Sequence, residues 1–157
     1  GAGAIGDFEQ LNMGAIEASM NVNLLAPLRF LRATLPHLRR KGSGDVFVLG
    51  SEASLRGAKR GSIYAGAKFA LRGIVQSLRA EYARFGVRVV GVYPGMTRTS
   101  FFDELDFEPG EDDGHAILPE DIGHLISDVA ASADRLIVDE LVISPRQHVI
   151  RSKPRNS

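Results

Sequence analysis

An apolar run, an amphipathic helix and a second apolar run follow one another across residues 45–93, and this order constrains the chain more than any other feature it has. Asp45–Leu49 and Arg88–Tyr93 read as short Val-rich strands buried on both faces, the second ended by Pro94-Gly95. Between them, Ser62 to Phe85 carries apolar residues at helical spacing and stops at Gly86, with Ser62 as the candidate N-cap. Strand, helix, strand in that order predicts a parallel pair joined by a right-handed crossover, hence α/β architecture. Upstream, Asn12 to Arg40 reads as a helix with Leu24, Leu28, Leu31, Leu35 and Leu38 on one stripe, kinked or shortened by Pro27 and Pro36. Lys41 to Gly44 reads as a turn. Downstream lie a long acidic stretch from Thr97 to Pro119, a helix from Glu120 to Ala131 and a last strand at Glu140–Ile143. Residues 1–11 read as a loop, and the basic end with Arg146, Arg151, Lys153 and Arg155 as a frayed tail.

Composition narrows the function classes. The chain has 157 residues, enough for one domain with a real core. Nineteen Lys plus Arg balance nineteen Asp plus Glu, so no global field argues for nucleic acid or an anionic membrane. Zero Cys removes disulfides, thiolate catalysis and iron–sulfur clusters. No apolar run approaches the ~18 residues of a membrane span and no basic-then-apolar leader opens the chain, which gives a soluble, cytoplasmic domain as the expectation. His37, His115, His124 and His148 show no ligand spacing on one element, so no metal site is expected.

Projected at 100° per residue, Ser62–Phe85 puts Leu71, Val75, Leu78, Tyr82 and Phe85 on one face, with Tyr64 and Lys68 at its N-terminal end, pointing at the sheet. The opposite face carries Gly66, Ala70, Gly73, Ser77 and Ala80, where a solvated helix would carry long charged side chains. That row is either a tolerant surface or a face for close pairing with a second copy across a two-fold axis; pairing is preferred.

Three constellations bear on chemistry. Residues 1–6 match the literal string G-x-G-x-x-G but lack the preceding strand and following helix that would aim amides at a pyrophosphate, so a flexible loop is the better account. Tyr64 and Lys68 stand one helical turn apart, which sets a phenol beside an ammonium. A phenol working near neutral pH needs about 4 kcal/mol of preferential phenolate stabilisation, and the adjacent cation supplies part of it. By itself the pair also fits a snorkelling Lys beside a core Tyr. Ser51, thirteen residues before Tyr64 and just past the carboxyl end of the first strand, lies where open parallel sheets bind ligands; a turn serine is its alternative, and Ser54 competes with it. Asn23, beside Pro27, taken singly is structural. A serine hydrolase is disfavoured because Gly50-Ser51-Glu52-Ala53 lacks the second glycine of G-x-S-x-G.

Asn23 within Met20–Leu24, Ser51, Tyr64 with Lys68, and the run Tyr93 to Thr99 together resemble, in order and spacing, the short-chain dehydrogenases/reductases, α/β enzymes that use NAD or NADP. The resemblance implies Tyr64 as acid/base, Lys68 holding the nicotinamide ribose and lowering the phenol's pKa, Ser51 orienting the reacting oxygen, and Asn23 anchoring a relay water. It places Pro94, Gly95, Thr97 and Thr99 at the nicotinamide and phosphate end, with Ala2 and Gly3 like the end of an Asn-Ala-Gly loop, and Gly1 where Asn is usual. It also implies a single partial domain with the C-terminal half of a Rossmann-type doubly wound parallel sheet, the first βαβαβ half being expected to be absent. The expected divisions are a loop at 1–11, a catalytic core at 12–98, a substrate lid at 99–119, a helix and strand at 120–150 and a tail at 151–157. The lid's seven acids between Asp103 and Asp113 also fit a plain solvated loop. The expected function is an NAD(P)-dependent alcohol dehydrogenase or carbonyl reductase acting on a small molecule. A catalytically inactive binding or oligomerisation module on the same fold is the alternative.

Overall fold

Val46 stands opposite Val89, and Leu49 opposite Val92, where strands β1 (Gly44–Leu49) and β2 (Val87–Pro94) pair in parallel. Strand β4 (Glu140–Ile143) adds in parallel to the other side of β2, giving the order β1-β2-β4. This computed structural model describes residues 3–133 and 135–153. Side chains alternate between the two faces of a strand, so the sheet carries a core on each side. On one face Val46, Val48, Val87 and Val89 meet Leu31 and Leu35 of helix α2 (Ala26–Lys41) and Leu71 and Val75 of helix α3 (Ser62–Tyr82). On the other, Val92 packs with Ile117 and with Ile122 of helix α4 (Pro119–Ala130). The α/β parallel sheet read from the sequence is thus present, with helices on both faces.

Several boundaries differ for identifiable reasons. The predicted helix over residues 12–40 is three pieces: helix α1 (Met13–Met20), capped by the Asn12 side chain on the Ala15 N–H at 2.8 Å, a π-helical turn at Asn21–Leu25, and α2. The wide turn falls just before Pro27, which has no N–H to give to the carbonyl four residues earlier. Pro36, by contrast, ends nothing, because the flanking Leu31 and Leu35 are held in the core and α2 runs on to Lys41. The N-cap of α3 is Gly61, without a side-chain cap, and Ser62 is already helical. The last turn tightens to a 3₁₀ turn at Ala83–Phe85 before Gly86, where φ is 69° and a Cβ would lie 2.4 Å from the Gly42 carbonyl oxygen.

The basic end is not a frayed tail as far as Lys153. Strand β5 (Ile150–Ser152) pairs antiparallel with strand β3 (Phe107–Pro109), Arg151 pairs with Glu108 and Glu111, and the Lys153 ammonium donates to the Phe102 carbonyl at 2.6 Å. The expected lid is therefore fastened by its own acids, of which Asp106 also pairs with Arg60 at 3.1 Å. Residues 154–157 lie outside the described residues. No helix among the described residues is long and apolar enough to cross a membrane.

Helix α3 is tied to the far strand by charge as well as by its apolar face. Arg72 makes a bidentate pair with Glu140 at 3.1 and 2.8 Å, and Gln76 donates to the same carboxylate at 2.9 Å. The Arg72 hydrogen bonds hold the Glu140 carboxyl below its ordinary 4.5. A carboxyl lowered in the fold contributes stability that is present above its ordinary pKa and lost as pH falls through the lower, folded value. Glu140→Gln is therefore expected to destabilise the chain by about 1–2 kcal/mol near neutral pH. In urea melts the gap from the parent should close as pH falls below the carboxylate range.

Candidate functional site

Strand β1 ends at Leu49 and the chain turns sharply over the ring of Tyr93, where a Cβ at Gly50 would stand 2.6 Å from Cδ1, so the turn requires glycine. Ser51 follows as the cap of a 3₁₀ turn at Glu52–Ser54, its hydroxyl oxygen accepting the Ala53 N–H at 3.2 Å. Two turns of α3 then present Tyr64 and Lys68, and the end of β2 delivers Pro94, Gly95, Thr97 and Thr99. All of these, with Gly3, line one cleft of about 1580 Å³ at the carboxyl edge of the parallel strands. This is the place where such sheets receive ligands.

The Lys68 ammonium is the most unusual group there. It is 7% exposed and lies 5.6 Å from the centre of the Tyr64 ring, within cation–π range. No carboxylate among the described residues forms an ion pair with it. Burial accordingly lowers its pKa from the ordinary 10.5. Tyr64, half-buried, shifts the opposite way from the sequence expectation. Burial raises its phenol above 10.0, the Ser51 hydroxyl opposes this as a hydrogen-bonding neighbour, and the Glu52 carboxylate adds to the rise. Withdrawing the phenolate from water outweighs the help of neighbouring groups in this state, so Lys68 does not by itself make Tyr64 acidic.

The rest of the predicted set divides. Thr97 Oγ1 donates to the Gly95 carbonyl at 3.0 Å, Thr99 Oγ1 donates to the Thr97 carbonyl at 3.4 Å, and the Gly95 N–H donates to the Ile143 carbonyl at 2.8 Å, which ties this edge to β4. Asn23 does not line the cleft; it is 1% exposed within the π-helical turn, and its amide donates to Ser19 O at 3.0 Å and Ser19 Oγ at 3.1 Å. Ala2 lies outside the described residues, as does Gly1 of the glycine string. The Gly6 N–H of that string donates to the Arg60 carbonyl at 2.8 Å rather than facing an open cradle.

Sequence reading missed three contributors. Glu52 lines the cleft and stands 3.5 Å from both His148 and Arg56. Phe101 packs on the Tyr64 ring at 5.5 Å between centroids and leads an aromatic chain through Phe102 to Phe107. Arg60 is the one non-glycine among the described residues with positive φ, at 63°, and it joins the N-terminal segment to the stretch 99–119 through Gly6 and Asp106. Its place between Lys59 and Gly61 carried no signal for either partner. No group of three metal-ligating side chains forms among the described residues.

The family model for short chain dehydrogenase matches residues 1–109. Human 17-beta-hydroxysteroid dehydrogenase type 1 (Homo sapiens) is 35% identical over 111 residues, 71% of this chain and 34% of that protein. Sepiapterin reductase of Chlorobaculum tepidum is 28% identical over 145 residues, 92% of this chain and 58% of that protein. The alcohol dehydrogenase of the archaeon Thermococcus sibiricus, solved with 5-hydroxy-NADP, superposes with a TM-score of 0.82 at 28% identity, covering 94% of this chain and 61% of that one. The chain thus spans about a third of the length of the hydroxysteroid dehydrogenase it matches.

A buried ammonium without a carboxylate costs stability. Lys68→Met is expected to raise the stability of the chain by about 0.5–2 kcal/mol near neutral pH. Because the folded pKa of Lys68 is lowered, the parent recovers stability as pH rises through that value toward 10.5. The advantage of the variant in thermal melts should therefore fade in mild alkali.

Proposed function

Because the chain belongs to the short chain dehydrogenase family, we propose that its cleft is the substrate side of an NAD(P)-dependent oxidoreductase that interconverts an alcohol and a carbonyl compound. The observation that carries this reading is the convergence of Ser51, Tyr64 and the buried Lys68 on one cleft at the carboxyl edge of the sheet. A dinucleotide fits these residues, since its ribose hydroxyls give acceptors to the Lys68 ammonium, which pairs with no carboxylate among the described residues. Thermococcus sibiricus alcohol dehydrogenase, the structural neighbour, was solved with a nicotinamide cofactor of the NADP type.

The bound cofactor supplies hydride transfer. Lys68 holds the ribose, and Gly3, Pro94, Gly95, Thr97 and Thr99 line the nicotinamide and phosphate end, with Ala2 joining them by family resemblance. Ser51 donates a hydrogen bond to the reacting oxygen. Tyr64 gives that oxygen a proton in reduction and takes one in oxidation. Asn23 anchors a relay water by family resemblance. The aromatic chain Phe101, Phe102 and Phe107 beside Tyr64 suits a substrate with an apolar skeleton.

Since Tyr64 must be neutral to donate and ionised to accept, and burial raises its pKa, carbonyl reduction should hold its rate at neutral pH while alcohol oxidation climbs with pH. NADPH fluorescence should change saturably when the chain is titrated in. Tyr64→Phe should keep that binding and lose about 10²–10⁴-fold in turnover. A chain that leaves both NADPH and NADH fluorescence unchanged at saturating protein contradicts the reading.

A second reading, assembly through α3, is favoured by the exposure of Gly66, Ala70, Gly73, Ser77 and Ala80 along one face, with nothing within 4 Å of a Cβ built at Gly66 or Gly73. A second copy can approach closely there. Light scattering should give a dimer or larger for the parent and a monomer for Gly73→Glu; a parent that stays monomeric at high concentration removes this reading.

A further inference from the structure

Three hydrogen bonds close on one another around residue 51. Its hydroxyl oxygen accepts the Ala53 N–H at 3.2 Å, its own N–H donates to the Ser54 hydroxyl oxygen at 3.3 Å, and its carbonyl accepts the Ser54 N–H at 2.8 Å. Ser54 is fully buried, at 0% exposure. A hydroxyl at that depth is kept for the partner it satisfies, and here the partner is the backbone of Ser51. The turn has little room to find another arrangement. A Cβ at Gly50 would lie 2.6 Å from the Tyr93 ring and 3.0 Å from Ser54 Oγ, so the chain before Ser51 is wedged between the two.

We propose that Ser54 is a positioning residue that locks the backbone at Ser51 and thereby aims the Ser51 hydroxyl proton at the reacting oxygen beside Tyr64. A serine hydroxyl has one proton and two lone pairs. Ala53 engages a lone pair, which leaves the proton to point toward the cleft that Ser51 and Tyr64 both line. Without Ser54 the N–H of residue 51 loses its acceptor, the 3₁₀ turn loosens, and the hydroxyl is free to turn away. The proposal rests on the oxidoreductase reading for the identity of the reacting oxygen, but the aim of the hydroxyl is built into the ligand-free chain and is measurable there.

Tyrosine labelled with ¹³C at Cζ reports the hydrogen bonding of each phenol, with Tyr64 and Tyr82 assigned through Tyr64→Phe and Tyr82→Phe. At neutral pH, Ser51→Ala should displace the Tyr64 resonance, and Ser54→Ala should displace it in the same direction while Tyr82 stays in place. A folded Ser54→Ala chain with Tyr64 at the parental position overturns the proposal. Should Ser54→Ala not fold, the parent decides. Its Ser51 amide should exchange hydrogen about tenfold or more slower than a free peptide, and an unprotected amide overturns the proposal as well. In turnover, Ser54→Ala should lower kcat and leave KM near the parental value. A parent chain with no turnover at all fails the oxidoreductase reading, while the resonance and exchange measurements still decide the role of Ser54.

Discussion

A positive charge buried beside a phenol, with no carboxylate among the described residues paired to it, is the constraint around which the structure is organised. Isolated ammonium groups are expensive to withdraw from water, and Lys68 remains in place because α3 is fixed by contacts that have nothing to do with it. Leu71 and Val75 sit in the core against the sheet, and Arg72 and Gln76 hold Glu140 on the far strand. The helix cannot rotate Lys68 into solvent without breaking both. Stability made in the core and at the strand edge is thus used to hold a buried ammonium beside a phenol at the cleft.

The walls of the cleft come from segments far apart in the chain, and charges tie them together. Arg60 links the N-terminal segment to Asp106, Arg151 links β5 to Glu108 of β3, and His148 approaches Glu52 next to Ser51. Each of these pairs is partly exposed and individually weak. Their joint effect is geometric: the acidic stretch after β2 is folded back over the cleft, which brings Phe101 against Tyr64.

Much of this was readable from residues alone because it depends on local periodicity. Two Val-rich runs separated by a helix dictate a parallel pair, and a spacing of one turn sets Tyr64 beside Lys68 whatever surrounds them. The Leu stripe over residues 24–38 survived two prolines because each Leu reports burial independently of backbone detail. What was not readable depends on long-range partners. Strands β3 and β5 are three residues each, too short for any alternation to show, and form by pairing with each other across a long stretch of chain, with Arg151 on Glu108 across the ladder. The tail reading of residues 151–153 failed for that reason. The direction of the Tyr64 shift failed for another: spacing reveals a neighbouring charge but not the burial that opposes it, and here burial is the larger effect.

The central claim is that the cleft holds a phenol whose ionisation is suppressed by burial until a cationic nicotinamide ring shares the site. Ultraviolet difference titration of tyrosine ionisation, run on the parent and on Tyr64→Phe with and without NADP⁺, tests it directly. The account predicts that NADP⁺ moves one tyrosine ionisation to lower pH in the parent and none in Tyr64→Phe. An ionisation curve that NADP⁺ leaves unchanged, or one that moves equally in both chains, contradicts it.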